Sequence, residues 1–136
     1  MRVVKMFVFL IFVVLYGTSV GSAEEKKVKQ TGTFSSLSYN REGGDLVGAE
    51  IKIVATKKGF QGALQIAEGG PSPLMLVDVL FDKDQVKFKI PESYSQYGGG
   101  VFEGKIDSKG LSGAFTFRGV RGEKENLIRG CGYWDK

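Results

Sequence analysis

The side chains that most often carry out chemistry are thinly supplied in this sequence. Histidine is absent, and Cys131 is the one cysteine among 136 residues. Ser-His-Asp and Cys-His relays are therefore excluded, as are zinc centres built on His or Cys clusters. An intramolecular disulfide is excluded as well. Cys131 is expected either as a small buried apolar residue or as half of a Cys131-linked dimer. Glycosidase-type carboxylate pairs can be drawn from Glu42, Glu50, Glu68 and Glu103. Any domain with 15 acidic residues offers such pairs, so they single out nothing. Asn40-Arg41-Glu42-Gly43-Gly44-Asp45 contains glycine but is not a phosphate loop, because no Gly-Lys-Ser/Thr follows and no helix begins there. No catalytic residue, metal site or cofactor is expected. An enzyme would have to work with Tyr, Lys and carboxylate groups alone.

What remains are side chains suited to specific polar contacts beside apolar surface. Tyr39, Asn40 and Arg41 fall in one connecting segment, Glu68 in a second, Tyr94 and Tyr97 in a third, and Arg118 and Arg121 in a fourth. These eight are the candidate ligand- or partner-binding residues. They act together only if the fold gathers their segments.

Eight short stretches read as strands: 32–39, 46–56, 60–67, 74–81, 85–90, 101–106, 111–117 and 127–134. Several alternate with period two. Ile51, Ile53 and Ala55 oppose Glu50, Lys52 and Val54; Val86, Phe88 and Ile90 oppose Lys87 and Lys89. Phe102, Gly104 and Ile106 oppose Glu103 and Lys105, and Leu111, Gly113, Phe115 and Phe117 oppose Ser112 and Thr116. One apolar and one polar face suit antiparallel strands around a single core. No stretch carries a helical stripe.

The connections alternate in length. Lys57-Lys58-Gly59, Asp82-Lys83-Asp84 and Asp107-Ser108-Lys109-Gly110 are tight, while 40–45, 68–73, 91–100 and 118–125 are longer. In an up-and-down meander consecutive connections fall at opposite ends, so the long ones gather at one end with the eight candidates. Gly62, Gly104 and Gly113 lie on the inward register. They permit a sharply coiled, closed sheet, or they leave room inside for a ligand. The fold expected is all-β, a single antiparallel up-and-down barrel of about eight strands.

The first 23 residues read as a cleavable signal peptide. Arg2 and Lys5 precede an eleven-residue apolar run, Met6 to Tyr16, and small residues follow up to Ala23. That run is well short of the roughly 20 residues that span a bilayer. The domain reading is a signal peptide at 1–23, a flexible lead-in at 24–30 and the barrel at 31–136, in a periplasmic or secreted protein. Once Arg2 and Lys5 are removed, 17 basic residues face 15 acidic ones. They are interspersed, with no basic stripe for nucleic acid. A membrane-spanning barrel is also disfavoured. Glu50, Lys52, Lys87, Lys89, Glu103 and Lys105 would face lipid, at about 2–4 kcal/mol per charge near mid-depth.

Eight meandering strands in this length resemble the calycin layout of avidin- and lipocalin-type barrels. Gly32-Thr33-Phe34 is similar to the glycine-x-tryptophan that opens the lipocalin pattern, with phenylalanine in the aromatic place. The resemblance implies a basic residue on the last strand against that aromatic, and Arg129 is placed to supply it. The function expected is binding of a small, partly apolar ligand at the long-loop end. The alternative is an extracytoplasmic protein-interaction or enzyme-inhibitor module acting through residues 91–100.

Overall fold

The computed structural model describes Gly21, Glu24, residues 26–94 and residues 98–136. The expected signal peptide, Gly21 apart, and the candidate Tyr97 lie outside the described residues. Alternating apolar and polar residues set up the strands β1 (Gly32–Ser35), β2 (Ser38–Asn40), β3 (Asp45–Thr56), β4 (Gly59–Gly69), β5 (Met75–Asp82), β6 (Gln85–Ile90), β7 (Gly100–Ile106), β8 (Gly110–Phe117), β9 (Val120–Arg121) and β10 (Glu125–Arg129). Each barrel strand pairs antiparallel with its neighbour, and β1 pairs with β10 on one side and β3 on the other. The sheet is thereby closed into an eight-stranded antiparallel barrel. β2 continues the line of β1 along β3, and β9 is the return arm of a hairpin on β8.

Alternation decides what goes inside. Phe34, Ile51, Ile53, Leu64, Phe88, Phe102, Leu111 and Leu127 are fully buried, whereas Lys52, Lys87, Lys89, Glu103 and Lys105 are exposed. The rings form a column along part of the barrel: Phe88 stacks on Phe102 at 4.8 Å, Phe102 meets Phe115 at 5.0 Å, and Phe115 stacks on Phe117 at 6.0 Å. An eight-stranded barrel is just wide enough for side chains to fill it, and here they do so along this column. The inward glycines belong to that packing. A Cβ on Gly62 would lie 2.6 Å from Ile51 Cδ1, and one on Gly113 would lie 2.7 Å from Phe102 Cζ and 2.7 Å from Gly104 Cα. Gly104 and Gly113 are cross-strand partners, so their missing side chains let β7 and β8 coil tightly against the rings. The space they free is occupied by protein.

Phe34 and Arg129 are direct cross-strand partners, and the guanidinium lies 4.6 Å from the ring centroid. Arg129 also donates to the backbone carbonyls of Thr31 at 3.0 Å and Lys29 at 2.5 Å. One side chain thus stacks on the core aromatic and ties down the segment that enters the barrel. Cation–π contacts of this kind contribute on the order of 1 kcal/mol. Val28, in the segment that leads into the barrel, packs against the core.

Two expectations at the C-terminus change. The last strand, expected over 127–134, ends at Arg129, and Tyr133–Asp135 forms a 3₁₀ turn. Glu50 accepts the Tyr133 amide at 2.6 Å, Asp135 accepts that of Gly132 at 3.0 Å, and Trp134 Nε1 donates to Gln65 at 2.8 Å. Glu50 and Gln65 point outward from β3 and β4, so the tail folds over the outside of the barrel. There Tyr133 covers a small external cluster of Leu37, Leu46 and Ala67. Trp134 is exposed on the exterior. Of the two readings for Cys131, burial is overturned: the thiol is exposed, because the chain leaves the sheet at Gly130 before reaching it.

Candidate functional site

The long-loop end is built from hairpins that outreach the barrel wall. Two of the four connections expected to be long are shorter than the sequence suggests. Phe117 pairs with Val120, leaving a two-residue turn, Arg118-Gly119, with φ of 50° and 75°. Two consecutive left-handed residues define a type I′ turn, whose twist matches that of its strands. Asn40 pairs with Asp45, and the Asn40 side-chain oxygen accepts the amides of Glu42 at 3.1 Å and Gly43 at 3.4 Å. Such self-contained bonding is what asparagine contributes to turns.

Between the β8–β9 hairpin and the end of β4 lies an open cleft of about 410 Å³. Phe115, Phe117 and Val120 give it an apolar surface, and Glu68, Arg118, Glu123 and Glu125 give it a charged rim. Phe115 and Phe117 are the last inward residues of β8, so the cleft opens where the column of rings reaches the barrel mouth. Glu68 and Glu125 continue the inward registers of Ile66 and Leu127, which brings their carboxylates to the same mouth. Glu125 is fixed there. The Ser36 hydroxyl donates to it at 2.8 Å, and that oxygen also accepts the Ala49 amide at 3.0 Å, bridging the interruption between β1 and β2.

Of the seven candidate residues that are described, two line this cleft, Glu68 and Arg118. Tyr39 is exposed on β2, Asn40 closes its own turn, and Arg41 projects from the same turn into solvent. None of the three lines the cleft. Tyr94 is buried in the core with its ring 5.9 Å from that of Phe117, and it supports the cleft wall from behind. Arg121 pairs with Thr116 on the outer face. There it joins Lys87 in holding the Glu103 carboxyl below its ordinary range; the dominant cause is the Lys87 ammonium, hydrogen-bonded at 2.8 Å.

Sequence reading missed Phe115, Phe117, Val120, Glu123 and Glu125 as cleft residues. The period-two pattern of 111–117 carries the signal for the two phenylalanines, because its inward register runs to the loop end. Glu123 and Glu125 read as ordinary loop charges.

The outer wall carries a further apolar feature. Leu74 precedes β5, and Leu76 and Leu80 lie on its outward register; all three are exposed, Leu76 by 80%. No helix among the described residues is long and apolar enough to cross a membrane. No protein-family model, curated protein or solved structure matches this chain.

Proposed function

We propose that this is an exported, non-catalytic binding protein of calycin-like design, holding a small, partly apolar ligand in the cleft at the loop end. The observation that carries the reading is the junction of Phe115, Phe117 and Val120 with a rim of Glu68, Arg118, Glu123 and Glu125 around about 410 Å³. An apolar floor with a few converging polar groups is the usual make-up of a small-molecule site. The packed ring column below gives the cleft a floor, so the ligand rests at the mouth and is not enclosed along the axis. Three carboxylates on the rim favour a ligand that offers hydrogen-bond donors or a positive charge. The Phe34–Arg129 stack and the closed eight-stranded layout support the calycin-like reading. Burial of Tyr94 weighs against the alternative of a partner-binding loop at 91–100, since one of its two tyrosines is committed to the core.

Native mass spectrometry of the protein purified from a periplasmic extract or culture medium tests the reading. A released small molecule on the wild-type chain, lost from Val120→Asp, is the expected result. Val120 is 71% exposed, so this change leaves the fold intact. An adduct retained by Val120→Asp would place the ligand elsewhere.

A further inference from the structure

We propose that the opposite, tight-turn end of the barrel carries a second binding site, one for an anionic amphiphile. A cleft of about 750 Å³ lies between the lead-in, the β5–β6 turn and the end of β7. Its floor is apolar. Ile106 belongs to the core, and Val28 packs against the same core from the lead-in. Its rim is basic, with Lys26 and Lys27 on one wall and Lys83 on the other. The one carboxylate among the described lining residues, Asp84, is already engaged, accepting from Gln85 Nε2 at 3.1 Å and lying 3.7 Å from the Lys105 ammonium. The cleft therefore presents a surplus of positive charge above an apolar floor.

Lys83 is placed by the two-residue turn between Asp82 and Gln85. It sits at the tip of the β5–β6 turn with φ of 55°, a conformation that glycine adopts freely and lysine adopts under strain. The turn carries its ammonium group to the rim of the cleft. Neither half of the site is sufficient by itself. A small inorganic anion meets exposed lysines that water and salt screen, and a neutral apolar chain leaves three ammonium groups unaddressed. A molecule with a phosphate or carboxylate head and a short hydrocarbon body satisfies both. This site is independent of the one at the loop end.

The test is titration of the purified protein with octyl phosphate, followed by calorimetry and by backbone-amide NMR, with inorganic phosphate and octanol as head-only and tail-only probes. The expected result is saturable one-to-one binding of octyl phosphate, with the largest shifts at Val28, Lys83 and Ile106. Inorganic phosphate and octanol should each bind at least tenfold more weakly. Lys83→Gly removes the charge and relieves the backbone. It should weaken octyl phosphate binding at least fivefold while the thermal midpoint stays level or rises. The double change Lys26→Gln with Lys27→Gln, on the exposed lead-in, should weaken it likewise, whereas Val120→Asp should not. Undiminished binding by both lysine variants, shifts confined to the loop end, or equal affinity for inorganic phosphate would each overturn the proposal.

Discussion

Lys83 and Arg118 hold the only positive φ angles outside glycine among the described residues, and each stands at a hairpin tip beside one of the two clefts. A left-handed non-glycine residue costs roughly 1–2 kcal/mol, so both positions give up stability for a charged side chain. Asparagine tolerates this conformation and, ahead of Gly119, completes the favoured Asn-Gly type I′ pair. Arg118→Asn should therefore raise stability by up to about 1 kcal/mol in denaturant melts, while weakening ligand retention at the loop end. A second prediction at this scale concerns Glu103. The Lys87 ammonium depresses its carboxyl titration, so the folded pair adds stability at neutral pH that is lost as pH falls through the depressed folded value. In Lys87→Ala the NMR titration midpoint of Glu103 should move up toward the ordinary carboxylate range; an unmoved midpoint would show that another group sets it. Of the candidate residues, Glu68 and Arg118 were legible as loop-end residues, and both line the cleft there. The burial of Tyr94 was not legible, because nothing in Pro-Glu-Ser-Tyr shows which way that ring turns.

At the scale of elements, β7 and β8 depend on the absence of side chains at Gly104 and Gly113. Gly113→Ala places a methyl group against Phe102 and the facing backbone, and should destabilise by about 1–3 kcal/mol or prevent folding. An equally stable Gly113→Ala would mean that the two strands have room to separate. Arg129 links three elements, stacking on β1, donating to the lead-in and lying on β10. Arg129→Lys retains the charge but loses the planar group that stacks and forks. It should therefore resemble Arg129→Ala in releasing residues 28–31 to amide hydrogen exchange. The strands themselves were legible, because polar and apolar residues alternate with period two along β3, β6, β7 and β8. Two boundaries were not. The β8–β9 hairpin hides behind Arg-Gly where Asn-Gly would have marked it, and the early end of β10 depends on Glu50 capturing the Tyr133 amide, a contact 83 residues apart in sequence.

For the whole molecule, closure replaces covalent bracing. The barrel has no disulfide, and its one cysteine is on the surface, so Cys131→Ser should leave the thermal midpoint unchanged. The two ends differ in character, with lysines around the cleft at the tight turns and carboxylates around the cleft at the mouth. Export is a separate expectation. The intact mass of protein recovered outside the cytoplasm should correspond to a chain beginning at Glu24, and a chain retaining Met1 would contradict it. The central claim is that the mouth formed by Phe115, Phe117 and Val120 is a ligand site. Titration with the neutral apolar probe N-phenyl-1-naphthylamine, followed by backbone-amide NMR, tests it most directly. Saturable shifts centred on Phe117, Val120 and Gly122, abolished in Val120→Asp, are the result predicted. Shifts centred elsewhere, or none at saturating probe, would contradict it.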